Sequence, residues 1–218
     1  MFGMFGTGQK EEAMLYYLYM MSDGEVSYSE EKLFNEICKE LNLSEEDKQL
    51  AVVRCKEIAK DPKATLDVIM SEKIDEQVGR AWLGLKKDTS SLAKIIWNLV
   101  NLGYADTYYS EEEKRIVKHL LEKWEVSPEV YQEMVDTADT ILALTKQKEW
   151  VISKFPKGRE RDEKEKKIDT EINTMLSDIK LTIEELTMDQ SSSVIKQEDN
   201  MLTERERKIE AMRKAGML

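Results

Sequence analysis

Histidine occurs once in this chain of 218 residues, cysteine twice and proline three times. Each scarcity removes a class of function. One histidine, His119, and no nucleophile motif leave few ways to assemble a general acid–base pair or an activated nucleophile. His119 lies in a helical stretch beside Lys118, which suits a surface or boundary position. Cys38 and Cys55 are too few for a disulfide framework, and each falls within a helical pattern. Buried free thiols in a reducing compartment are therefore expected. Of the nine glycines, Gly3, Gly6 and Gly8 follow no strand, so no phosphate-cradling loop is expected. Few chain breakers, with Glu, Lys, Leu and Met in quantity, predict an all-α protein.

Long apolar runs are missing too. The longest, Met14 to Met21, is far too short to span a bilayer. The opening residues, Met1-Phe2-Gly3-Met4-Phe5-Gly6, lack the basic start and apolar stretch of a secretory signal, so a cytoplasmic location is expected and direct membrane insertion is not. Nor is there an excess of positive charge. The chain carries 33 basic and 44 acidic residues, a formal net charge of -11. That balance argues against nonspecific nucleic-acid binding, which requires a basic surface, and against electrostatic attraction to anionic lipid. Cations, basic protein partners and simple solubility are all compatible with it.

What is present in strength is a repeat. The stretch Ser22-Asp23-Gly24-Glu25-Val26-Ser27-Tyr28-Ser29-Glu30 has a counterpart 83 residues later, Ala105-Asp106-Thr107-Tyr108-Tyr109-Ser110-Glu111-Glu112-Glu113. At that offset Asp23 falls on Asp106, Ser27 on Ser110 and Glu30 on Glu113. Leu33 falls on Ile116, Ile37 on Leu120, Leu41 on Trp124 and Ser44 on Ser127. One offset that aligns caps, an acidic turn and an apolar face predicts two copies of a helix-pair unit within one domain.

The helices follow from caps and periodicity. A first helix is predicted over about 9–21. Ser27 and Glu30 form a capping box, as do Ser110 and Glu113. Leu33, Phe34, Ile37 and Leu41 share one face of the second helix. Ser44 caps a third, whose apolar face is read as Leu50, Val53 and Ile58, with Asp61-Pro62 ending it. A fourth helix is predicted over about 64–86, and a fifth over about 90–102 on Leu92, Ile95, Ile96, Leu99 and Val100. Ile116, Val117, Leu120 and Trp124 mark the sixth. Ser127-Pro128 starts another, with proline at its first helical position. This one carries Met134, Ala138 and Ile141 towards Trp150.

Beyond Phe155 the character changes. No aromatic residue occurs from Pro156 to Leu218, and residues 159–167 are almost wholly charged. Ile168, Ile172, Met175, Ile179, Ile183 and Leu186 trace a narrow stripe near heptad spacing, and Ile195, Leu202 and Ile209 recur every seven residues. The chain is thus divided into a folded domain, 1–155, and a charged amphipathic helical tail, 156–218. A coiled coil and partial disorder both suit the tail. Its stripe needs a cover, whether the domain itself, a second copy or another protein.

With the paired turns, caps and helical faces in place, residues of about 10–150 resemble a TerB-like, or tellurite-resistance-type, domain. Thr107 stands where that family's turn usually has glycine. The resemblance implies an all-α duplicated bundle that serves as an interaction module in bacterial stress-response or phage-defence systems. It also implies association with membrane complexes and divalent-cation binding by acidic surface residues. Some relatives add a co-chaperone J-domain, which needs His-Pro-Asp. Here the sole histidine precedes Leu120, so no J-domain lies in this chain.

The acidic turns invite a calcium reading of their own. On an EF-hand loop Asp23 would occupy position 5, Gly24 position 6 and Glu30 position 12. Positions 1 and 3 would then be Tyr19 and Met21, which supply no carboxylate. A weaker site for Ca²⁺ or another divalent cation could use Asp23, Glu30, Asp106 and Glu113. Capping by the glutamates and turn stabilisation by the aspartates is the first reading of these same residues. Tyr19, Tyr104, Tyr108 and Tyr109, with Tyr16 and Tyr17, gather beside the turns. They fit core packing with hydroxyls at the rim, and also a partner-binding groove. The expected function is a non-enzymatic scaffold that binds a protein partner and self-associates through 156–218. The alternatives are a cation-responsive sensor and a metal-dependent enzyme.

Overall fold

A computed structural model describes residues 8–60, 89–124 and 126–185. The helix expected over 64–86 and the stripe positions from Leu186 onward lie outside the described residues. Within them the protein has seven helices and no strand. These are α1 (Gly8–Met20), α2 (Tyr28–Glu40), α3 (Glu45–Ile58), α4 (Thr89–Tyr104), α5 (Glu111–Trp124), α6 (Pro128–Lys154) and α7, residues 159–185.

Helix α1 forms the axis of the bundle. Every residue from Ala13 to Met20 is buried, so this helix is covered on all sides instead of along one stripe. Helices α2, α3 and α4 pack around it. Helix α4 buries Leu92, Ile95, Ile96, Leu99, Val100 and Leu102 and also contacts α2, α5 and α6. The predicted faces of α2 and α5 hold: Phe34, Ile37, Ile116, Val117, Leu120 and Trp124 are buried.

The face read for α3 needs correction. Leu50 and Val53 are each 53% exposed, and Ile58 is only partly buried against the core. The buried positions are Ala51 and Cys55. Their small side chains let α3 approach α1 closely enough for the Cys55 thiol to reach the Met14 carbonyl at 3.6 Å. Both cysteines are buried and neither is in a disulfide, and burial pushes the Cys38 thiol up to about 12.

Helix α7 folds back antiparallel along α6. Lys148 Nζ lies 2.6 Å from Asp169 Oδ1, and Thr182 Oγ1 donates to Glu133 Oε1 at 3.2 Å. Ile179 and Ile183 enter the central core. The described part of the stripe is therefore covered by the domain itself, and the division at 155 falls at the turn of a helical hairpin. Val151 and Ile168 are buried nearer that turn, outside the central core.

Candidate functional site at the two acidic turns

Each turn is closed by local backbone bonds. After α1, Ser22 N–H donates to the Tyr19 carbonyl at 3.0 Å and Gly24 N–H to that of Met21 at 3.2 Å. After α4, Ala105 N–H donates to Leu102 at 3.0 Å and Thr107 N–H to Tyr104 at 3.1 Å. The aspartates then cap the bends: Asp23 Oδ1 accepts from Glu25 N–H at 3.4 Å, and Asp106 Oδ1 from Tyr108 N–H at 2.9 Å. Every one of these bonds recurs 83 residues on. So does the backbone conformation, since Gly24 has φ 108° and Thr107 has φ 75°. Glycine tolerates that left-handed region freely, whereas threonine is strained there.

The next helices open alike. Ser27 Oγ accepts from Glu30 N–H at 3.1 Å while Glu30 Oε2 accepts from Ser27 N–H at 2.7 Å. Ser110 Oγ accepts from Glu113 N–H at 3.2 Å, and Glu113 Oε2 accepts from both the N–H and the hydroxyl of Ser110 at 2.8 Å. The expected capping roles of Glu30 and Glu113 are met in full. The pairing continues past α2 and α5, where Leu43 N–H donates to Cys38 and Val126 N–H to Leu121. Ser44 and Ser127 then cap α3 and α6.

Capping alone does not describe these glutamates, because both are only 2% exposed. Burial pushes the Glu113 carboxyl up to about 7, against the lowering effect of the Ser110 bonds, and the nearby charges of Asp23 and Glu30 push it further. Glu30 is raised by burial, lowered by its Ser27 bonds and raised again by Asp23 and Asp106. Asp23 is raised by burial, lowered by the Glu25 bond, and raised by Asp106 and Glu112. Carboxylates of one turn thus act on carboxylates of the other. The fold brings all four candidates, Asp23, Glu30, Asp106 and Glu113, into one electrostatic field. It does not arrange them as a ligand set: among the described residues no group of three or more His, Cys, Asp or Glu side chains is placed to hold a metal ion.

The tyrosines divide sharply. Tyr19 is fully buried, its hydroxyl against the backbone of Gly103, where an added Cβ would lie 2.7 Å away. Its oxygen makes no hydrogen bond of standard geometry. Burial, then Tyr109 and Glu113, raise its pKa. Tyr109 is 7% exposed, tilts against Tyr104 with ring centres 5.1 Å apart, and places its hydroxyl 3.3 Å from that of Tyr131. Tyr19 and Tyr109 therefore belong to the core and offer no surface to a partner, which corrects the groove reading for these two. Tyr104 is half-buried and Tyr108 is exposed. Tyr28, at the start of α2, was not among the expected site residues, yet it is 83% exposed and stands beside the first turn. Its place just after a cap, outside the apolar stripe, was the available signal.

Elsewhere little chemistry converges. His119 is half-buried and lines a shallow charged groove on α5 with Glu122, Arg115 and Lys118. A cleft of about 680 Å³ between α2, α4 and α7 has Leu33, Ile37, Trp97 and Ile183 in its walls. Asn98, also in that wall, donates to the Tyr16 hydroxyl at 3.0 Å, which in turn donates to Glu12 at 2.6 Å. This hydrogen-bonded chain joins α1 to α4. No family model matches the chain, and no curated protein or solved structure is significantly similar to it.

Proposed function

We propose that this protein is a non-catalytic helical interaction module, and that its two acidic turns form one face for a protein partner bearing basic side chains. The supporting observation is that Asp106 acts on Asp23 and Glu30, and that Asp23 and Glu30 act on Glu113, although the turns lie 83 residues apart. Two copies of one helix-pair unit in a common core would place equivalent turns side by side in this way. Exposed Tyr28 and Tyr108, one at each turn, supply flat apolar surface beside the negative charge. Such surface favours lysine or arginine through cation–π contact. The TerB-like resemblance gives this module its setting, a bacterial stress-response or defence assembly in the cytoplasm.

The test is affinity capture with the full chain, run beside the Asp23→Lys, Asp106→Lys double variant. Proteins captured by the wild type and lost by the variant, with the variant's helicity and melting unchanged, support the reading. A captured set that is the same for both would overturn it. A second reading rests on the elevated Glu113: a divalent cation at this face would relieve the crowding of carboxylates, making the module cation-responsive.

A further inference from the structure

The α6/α7 hairpin outgrows the bundle. Among the described hydrophobic residues, Ile141 is the last of α6 packed against the central core, and α6 continues to Lys154. Those 13 residues span about 20 Å at the helical rise. Beyond the core Val151 of α6 and Ile168 of α7 are both buried, and the Lys148–Asp169 ion pair ties the two helices together. The hairpin is an arm whose tip is the turn at 155–158.

The tip differs chemically from the rest of the chain. Residues 146–161 include six basic and two acidic side chains, a net +4 in a molecule of -11. Extending the window to 167 adds three of each sign and leaves the balance unchanged. Arg159 and Arg161 pair with Glu163 and Glu165 within α7. Lys154 and Lys157 are exposed and form no ion pair among the described residues. Large apolar groups stand among these charges. Trp150 is 55% exposed and Ile152 40%, and half-buried Phe155 packs edge-on to Trp150 with ring centres 6.0 Å apart.

We infer that this tip docks on an anionic lipid surface, with Trp150, Ile152 and Phe155 entering the interface and the lysines meeting headgroup phosphates and carboxylates. Exposed tryptophan beside lysine is the side-chain combination that favours a membrane–water boundary. Two positions along a helix differ by about 200° of rotation, so Trp150 and Ile152 leave opposite sides of the helix end. A fluid interface accepts both in an end-on approach, while a fixed protein groove would accept one. The molecule's negative charge does not forbid the contact. The arm holds the bundle roughly 20 Å back, more than two Debye lengths of about 8 Å at physiological salt.

Flotation of the full chain with vesicles tests this. The wild type should float with phosphatidylcholine vesicles that contain phosphatidylserine, and not with pure phosphatidylcholine. High salt should weaken the association. Lys154→Glu with Lys157→Glu should lower partitioning more than about tenfold, and Trp150→Ser with Ile152→Ser should abolish it. All four positions are exposed, so circular dichroism and melting should stay as in the wild type. Failure of the wild type to float with anionic vesicles overturns the inference, and so does flotation unaffected by either double variant. If the vesicles are ignored while Trp150→Ser with Ile152→Ser dissolves a dimer in sedimentation, the tip contacts a second copy and the lipid assignment is wrong.

Discussion

Glu113 concentrates the conflict at the residue scale. It closes a capping box, which stabilises α5, yet it sits buried near two other carboxylates, which favours its neutral form. Its folded pKa of about 7 stands above the ordinary 4.5, so the folded state holds the proton more tightly than the unfolded chain. The resulting stabilisation is complete below about pH 4.5 and is lost as pH rises through 7. Glu113→Gln keeps the box, since glutamine also caps. Urea denaturation from pH 4 to 8 should show the wild type losing stability across that window, with a flatter profile and greater stability at pH 8 in the variant. Equal slopes would mean that Glu113 does not titrate there. Thr107 carries the second residue-scale prediction. A β-branched residue at φ 75° stores about 1 kcal/mol or more, so Thr107→Gly should stabilise the fold by about that amount in urea titrations. Gly24 already holds the equivalent position, so no matching gain is available at the first turn.

Elements show where pattern reading succeeds. The caps at Ser27, Ser44, Ser110 and Ser127 were legible because a cap is a contact between residues two or three apart. The start of each helix is therefore fixed by neighbours in the chain. The buried face of α3 was not legible. Leu50 and Val53 are the larger apolar groups, but the close approach of α1 selects Ala51 and Cys55. Which stripe is buried depends on the opposing helix as well as on hydrophobicity. Helix α7 makes the same point. Its narrow stripe declared a need for cover without naming the cover, which proves to be α6 and the central core. Ile179 and Ile183 each contribute about 1.5–3 kcal/mol through burial. A chain ending at Phe155 should therefore lose much of a typical 5–15 kcal/mol stability, read as a large fall in melting temperature by circular dichroism. Unchanged melting would show that α7 contributes nothing to the fold.

At the scale of the whole molecule the question is what the convergence of the turns achieves. If a divalent cation is the natural counter-charge, millimolar Ca²⁺ should raise the melting temperature, more at pH 8 than at pH 5. At the higher pH the Glu113 carboxylate is charged and most in need of compensation. Asp23→Asn with Asp106→Asn should remove the rise, and calorimetry with no shift at any pH would end the cation reading. The chain by itself determined the helical class and the caps, because each depends on residues near one another in sequence, and the 83-residue correspondence, which is a match of residue types at one offset. Tertiary structure alone decided that the turns share a field, that Tyr19 and Tyr109 lie inside while Tyr28 and Tyr108 lie outside, and that a basic arm extends from an acidic bundle. Those outcomes depend on distance and burial between segments far apart along the chain, and local spacing carries neither.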